Sequence, residues 1–404
     1  MSAAEGHVFH NRLTHTLEVA QLAQRLAQKL IDEQPDLARA LGGIEPEVTE
    51  AAALAHDLGH PPFGHVAESE LDRIITDHLG IRDGFEGNAQ TFRVVTKLSV
   101  RHVGYLGQNL TRATLNAILK YPWTRGAVGL KRRKYGAYET EREDFDWARV
   151  LQPDGAMDEK SVEAEIMDWA DDIAYAVHDM EDFYRAGFIP LEYLMDEENE
   201  ELTTFIDGTF RRWRLERFRP VRRQTNPELR NALESLIEQL RETEPILEPY
   251  SGTRKQRANL RSLTSLLISR YVSAISLREP DARNRRSVQI RAEAEREITM
   301  LKQLAWFYVI QRPSLAGQQR GQRRLIGELF EIFVDATSTV KGRDLLPMGA
   351  RQFLEETRGR SLDEATRARV AADVVCSLSE QQAVALHQRL TGVEPGSVLQ
   401  GLLP

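Results

Sequence analysis

The sequence contains a single cysteine, Cys376, in 404 residues. It can close no internal disulfide and build no thiolate metal cluster, so any metal must be held by histidine and carboxylate. No apolar run approaches the roughly 18 residues that a membrane span needs, and no charged-then-apolar leader ends in a small-residue cleavage site. These absences suit a cytoplasmic chain without a membrane partner. Basic residues do not dominate either: 53 Lys and Arg against 61 Asp and Glu give a formal charge of −8, which excludes a surface built throughout to coat nucleic acid. Also missing are the G-x-x-x-x-G-K-[ST] phosphate loop and the G-x-S-x-G turn of a serine nucleophile. Phosphate handling would then rest on Arg, Lys, His and metal. Alternating β-branched runs are nearly absent, so the expected fold is all-α.

What is present is helical periodicity. Between Leu13 and Ile31 the apolar residues Leu17, Ala20, Leu22, Ala23, Leu26, Ala27, Leu30 and Ile31 recur largely at spacings of three and four, as one buried helix face requires. A second helix is expected to open at Thr49, a good N-cap, and to stop at Gly59, with Pro61 and Pro62 preventing continuation. Further helices are expected over 66–79, 87–99, 111–120 and 161–186. The stretch 121–153 sets Gly126, Gly129 and Gly136 among Lys131, Arg132, Arg133 and Lys134. It reads as a long loop with room for a short hairpin, and long loops in compact domains tend to be functional. Beyond Leu191 the chain is charged and helical, without repeats. Its Arg-rich runs at 211–223 and 283–296 are solvated helix faces by default, with subunit contacts or polyanion binding as the alternative.

Five of the ten histidines, His10, His15, His56, His60 and His65, fall between residues 10 and 65, and Asp57 directly follows His56. At a helix end those two side chains can reach one ion together, and His15 can add a ligand if the helices are neighbours. Imidazole and carboxylate without thiolate suit Mn, Fe, Ni, Co, Zn or Mg. Taken singly, each histidine is more simply a packed or surface residue. On the helix from Ser161, Asp168, Asp171, Tyr175, Asp179 and Asp182 share one arc at about 100° per residue, opposite Trp169, Ile173, Val177 and Met180. The arc is either the solvent face of an amphipathic helix or a site that holds a metal at one end and a polar hydroxyl further along. The interleaved Tyr175 favours the site. The linker Gly59-His60-Pro61-Pro62-Phe63-Gly64-His65 is either a hinge with two exposed histidines or a mount, stiffened by its prolines and loosened by its glycines. Within reach of a following helical turn, Glu68 can orient His65 for general acid or base work.

At these residues the sequence resembles a known family. RLTHTLEVAQ (12–21), AHDLGHPPFGH (55–65), FEGNAQ (85–90), KYPW (120–123) and ADDIAYAVHDMED (170–182) closely resemble the deoxyguanosine-triphosphate triphosphohydrolase-like branch of the HD-domain phosphohydrolases, and residues 312–330 are similar to it as well. The resemblance implies an HD-domain helical fold over 1–190, with an irregular loop at 121–160. An additional C-terminal helical region, 191–404, would complete the pocket and supply homo-oligomer contacts. It implies a metal set of His15, His56, Asp57 and Asp171, the last in preference to Asp172. It further implies phosphate contacts from Arg12 and His60, contacts to the deoxyribose 3′-hydroxyl from Tyr175 and Asp179, and acid/base work by His65 with Glu68, with His60 beside them in the catalytic group.

The implied activity is hydrolysis of a deoxynucleoside triphosphate, dGTP or another, to deoxynucleoside and tripolyphosphate, with Mn²⁺ or Mg²⁺ as cofactor. Two other readings stand beside it. One is an HD phosphomonoesterase or phosphodiesterase acting on another nucleotide. The other is a non-catalytic regulator that binds deoxynucleotides or single-stranded nucleic acid through its Arg-rich helices. The branch usually carries an Arg-rich segment upstream of the first histidine motif, where it serves base recognition and subunit contacts; here Met1 stands fourteen residues before His15.

Overall fold

A computed structural model describes residues 11–126, 129–152, 158–215, 225–243, 245–281, 284–356 and 363–394. His10, residues 216–223 of the first Arg-rich run, Arg283, and residues 127–128 and 153–157 of the 121–160 loop lie outside the described residues.

Local chemistry sets the two helices that matter most. Asn11 accepts a hydrogen bond from the Thr14 amide at 3.0 Å, and the Thr14 hydroxyl accepts one from the Asn11 amide at 3.0 Å, so a reciprocal cap opens the helix Arg12–Glu33. Val19, Leu22, Ala23, Leu26, Ala27 and Leu30 form its buried face, each leucine worth about 1.5–3 kcal/mol. The helix Val162–Arg185 opens where the Ser161 hydroxyl accepts from the Ala164 amide at 3.2 Å, and Trp169, Ile173, Val177 and Met180 are buried along it.

The chain forms two compact units, one made of residues up to 54 with 159–315, the other of 55–158 with 316–404. In the first unit Val162–Arg185 is the central helix. Arg12–Glu33, Arg254–Val272 and Ala292–Ala305 pack on it, and Asn226–Thr243 packs on the last of these. Strands Ile275–Leu277 and Val288–Ile290 pair antiparallel, with Ile275 opposite Ile290 and Leu277 opposite Val288. This pair is the only sheet among the described residues, so the all-α expectation holds. The Arg-rich runs are partly turned inward: Arg212 lies over the Trp306 ring, and Arg296 donates to Glu228 at 2.7 Å. The second unit packs Leu71, Ile74 and Phe85 against Phe330, Phe333, Val370 and Val374. Among the described residues no helix is long and apolar enough to cross a membrane.

Four elements differ from the sequence expectation. The second helix runs Pro46–Ala55 rather than from 49 to 58. Proline is pre-organised for a first helical turn, and the Thr49 hydroxyl donates to the Glu45 carbonyl at 3.1 Å instead of capping. The helices expected over 66–79 and 87–99 are His65–Arg73 and Gly87–Arg93, each ending in a wide turn, Ile74–His78 and Val94–Leu98. In these the Leu79 amide bonds Ile74 O and the Ser99 amide bonds Val94 O, the i→i+5 spacing of a π-bulge. The 121–153 stretch holds helices Leu130–Arg133 and Arg142–Arg149. In place of a hairpin, a lone parallel bridge joins Thr124 to Ala137.

Candidate active site

In the first unit, packing of Arg12–Glu33 on Val162–Arg185 sets His15 Nε2 3.3 Å from Asp171 Oδ1, both partly buried. Asp168 of the arc pairs with Lys160, and Asp172, the neighbour of Asp171, pairs with Lys302. Asp171 meets His15 where its neighbour Asp172 meets Lys302. A second link between the same helices, His178 Nδ1 to Glu18 Oε2 at 2.8 Å, pins their register. One turn beyond Asp171, Tyr175 is 42 % exposed, and burial together with the neighbouring Asp179 carboxylate raises its phenol above the ordinary value. Burial pushes the Asp179 carboxyl up to about 6, against the pull of His15 and with the help of Asp182. Arg12 is exposed at the first position of its helix.

In the second unit, His56 and Asp57 follow directly on the Pro46–Ala55 helix. His56 Nε2 is 3.6 Å from Asp57 Oδ1, and His60 Nδ1 is 3.2 Å from the same oxygen. The turn is held from behind by Thr91, whose hydroxyl accepts from the Gly59 amide at 2.9 Å and donates to the His56 carbonyl at 3.2 Å. Gly59 lies so close to the helix Gly87–Arg93 that an added Cβ would stand 2.1 Å from the Thr91 nitrogen and 2.4 Å from the Gly87 oxygen. Close approach, rather than looseness, demands glycine there. At Phe63 the backbone enters the left-handed region, φ 66°, rare for a bulky residue. Packing of its ring against the second unit's core offsets that strain. The bend makes His65 the first residue of the next helix and leaves its side chain 81 % exposed.

The rings of His60 and His65 stack with centroids 6.2 Å apart. Burial holds the His60 imidazole below its ordinary value although Asp57 and Glu68 pull it up. His65 Nδ1 lies 3.5 Å from Oε2 of the buried Glu68. Lys134 Nζ donates to Glu68 Oε1 at 2.7 Å and to Glu86 Oε1 at 2.9 Å. Burial alone would raise Glu68, but Lys134, His60 and His65 together hold its carboxyl below the ordinary value. Burial pushes Glu86 up to about 7 despite Lys134. Lys134 is itself raised, the two carboxylates outweighing its burial.

The HD domain family model matches residues 12–176, and that of the phosphohydrolase-associated domain matches residues 288–389. A deoxyguanosinetriphosphate triphosphohydrolase-like protein of Streptomyces coelicolor is 36 % identical over 394 residues, covering 94 % of this chain and 83 % of the relative. Similarly named proteins of Corynebacterium efficiens and Bifidobacterium longum are 35 % and 33 % identical, covering 96 % and 94 % of this chain and 85 % and 75 % of their own. The chain belongs to the deoxyguanosinetriphosphate triphosphohydrolase-like family of HD-domain phosphohydrolases.

HD domains bind divalent metal ions, and this HD-domain hydrolase carries His/Asp groups suited to one. Two ligands about 2.1 Å from one ion stand roughly 3.0–3.4 Å apart at octahedral to tetrahedral angles, close to the spacing of the His15–Asp171 and His56–Asp57 pairs. Two other clusters also bring ligand atoms within 4.8 Å of one another, Asp168 with Asp171 and Asp172, and His60 with His65 and Glu68. There the ammonium groups of Lys160, Lys302 and Lys134 already sit on Asp168, Asp172 and Glu68.

Sequence reasoning missed the roles of Lys134, Glu86 and Thr91 in this phosphohydrolase. Lys131 to Lys134 read as one basic run within a long loop. Instead Lys134 turns inward, while Lys131 pairs with Asp158 beside the Trp123 ring. FEGNAQ, flanked by no other signal, was the available hint to Glu86.

Proposed function

We propose that this protein hydrolyses deoxynucleoside triphosphates to deoxynucleoside and tripolyphosphate, with His15, His56, Asp57 and Asp171 as ligands of a divalent ion, Mn²⁺ or Mg²⁺. The observation that carries the reading is an exposed His65 imidazole backed by a buried, ionised Glu68 that Lys134 holds in place. An ion so held would neutralise charge on the α-phosphate. The rest of the chemistry belongs to side chains. Glu68 Oε2, 3.5 Å from His65 Nδ1, is placed to draw that nitrogen's proton toward it and so turn Nε2 to the reacting group. Water adds to the α-phosphorus, the bond from phosphorus to the 5′-oxygen breaks, and that oxygen departs with a proton as the deoxynucleoside. His65 Nε2 takes the proton from water and returns it to the 5′-oxygen. Arg12 and His60 hold the phosphates, and Tyr175 with Asp179 receives the 3′-hydroxyl.

The test is incubation with the four deoxynucleoside triphosphates, singly and mixed, with Mn²⁺ or Mg²⁺, followed by phosphorus NMR. Tripolyphosphate and deoxynucleoside in equal amounts are expected. Orthophosphate or pyrophosphate would assign another HD phosphohydrolase reaction, and absence of turnover in every mixture would overturn the enzymatic reading.

A further inference from the structure

We propose that the helix Gly87–Arg93, clamped by Asp373, is a positioning element that sets the His56–His60 turn without supplying a ligand or a reacting group. The inference rests on the functional reading above and deepens it.

The clamp comes from the phosphohydrolase-associated region. Asp373, on the helix Glu364–Cys376, accepts from Gln90 Nε2 at 2.7 Å, from Arg93 Nε at 2.9 Å and from Arg93 Nη2 at 2.8 Å. Arg93 Nη1 donates to Glu141 at 2.6 Å, and Arg93 and Glu141 are both buried. A two-pronged arginine–carboxylate contact with a third hydrogen bond beside it fixes direction as well as distance. Buried ion pairs of this kind add little net stability, so geometry is what they specify. Seven residues are too few to hold a helix by themselves. The orientation of this one is therefore borrowed from what grips it.

Its other contacts reach the site. The Thr91 hydroxyl uses both its donor and its acceptor to join the two ends of the His56–Gly59 turn, and at 1 % exposure no water can replace it. At the start of the helix an added Cβ on Gly87 would stand 2.8 Å from His60 Cδ2 and Nε2, so the bare Cα is the backstop that lets His60 lie against Asp57. Glu86, just before it, accepts from the Asn88 and Ala89 amides and holds Lys134 behind the His65–Glu68 pair. One short helix thus backs the turn carrying His56 and Asp57, the His60 ring and the acid/base pair.

The test uses the full chain with Thr91→Val, Thr91→Ser and Asp373→Asn. Mn²⁺ affinity is read from the electron paramagnetic resonance of free Mn²⁺, kcat and KM are measured separately, and circular dichroism monitors folding. Groups that orient metal ligands typically cost 10–100-fold in affinity when altered, so Thr91→Val and Asp373→Asn are expected to weaken Mn²⁺ binding about 10-fold and to lower kcat more than they raise KM. Thr91→Ser, which keeps the hydroxyl, is expected to stay within about 2-fold of the parent by the same reasoning. Should Asp373→Asn not fold, Gln90→Met removes one arm of the clamp alone. Parental Mn²⁺ affinity in Thr91→Val, or equal losses in the Ser and Val variants, would overturn the proposal. The Mn²⁺ titration needs no turnover, so a parent chain that binds Mn²⁺ but leaves deoxynucleotides intact would defeat the substrate assignment while this test still reads positioning.

Discussion

Replacing Lys134 by Met removes the cation between Glu68 and Glu86. Its Nζ is 2.7 Å from one carboxylate and 2.9 Å from the other, so the variant leaves two buried carboxylates facing each other. At roughly 5 Å and an effective dielectric near 20 their repulsion is about 3 kcal/mol. Removing one partner from a buried charge group generally costs about 3–5 kcal/mol, so a loss of that order is expected at pH 8. The sign of the pH dependence follows from linkage. In the parent, Lys134 has a folded value raised above 10.5, so its contribution is complete below pH 10.5 and fades only as pH rises further. In the variant the two carboxyls have folded values raised above 4.5, so the folded chain keeps protons that the unfolded chain releases. Stability then falls as pH rises from about 4.5, and the penalty is small near pH 5 and full near pH 8. Urea unfolding at both pH values, followed by circular dichroism, measures it. Adding Glu86→Gln to the variant removes the repulsion between the two carboxylates and restores part of the loss. A penalty below about 1 kcal/mol at pH 8, where a buried unpaired charge should cost several times that, would refute the reasoning, as would an equal penalty at both pH values or no recovery in the double variant.

Four shorter predictions follow from the site and its surroundings. Asp57→Ala should lose bound metal and turnover together, and elemental analysis showing normal metal content would remove Asp57 from the ligand set. His65→Ala should lower kcat by about 10²–10⁴ with metal content intact; a near-normal rate would exclude it from proton transfer. Tyr175→Phe deletes one hydroxyl and should narrow discrimination between deoxy and ribo substrates by about 5–10-fold, read as the ratio of kcat/KM values, whereas an unchanged ratio would free Tyr175 of that role. Burial pushes Glu165 up to about 7, against Val288 N–H, Arg286 and Lys160, so the fold holds a proton that the unfolded chain releases and stability drops as pH climbs from 4.5 to 7. Glu165→Gln should flatten that slope in calorimetric Tm between pH 5 and 8, and an unaltered slope would place the titration elsewhere.

Much of the fold and the residue types of the candidate site were legible because their signals are local. A spacing of three and four between apolar residues is a property of neighbours on one helix, so the first helix and Val162–Arg185 could be drawn before any packing was known. The acidic arc was likewise readable, since Asp171, Tyr175 and Asp179 lie one turn apart. Ordered motifs pointed to the family, and the residue types in them limited the chemistry to imidazole, carboxylate and metal. The sequence by itself therefore determined the helical class, the family and the inventory of reactive groups.

Only tertiary structure decided how those groups are held. The Gly59 amide meets Thr91 across 32 residues, Lys134 meets Glu68 across 66, and Gln90 meets Asp373 across 283. Gly59 looked like a loosening residue and is in fact a point of backbone contact; Lys134 stood in a run of four basic residues on a long loop and is an internal counter-ion. A hydrogen bond or a buried charge pair takes its value from the partner and from the exclusion of water. Neither the partner nor the exclusion is written in the residues nearby.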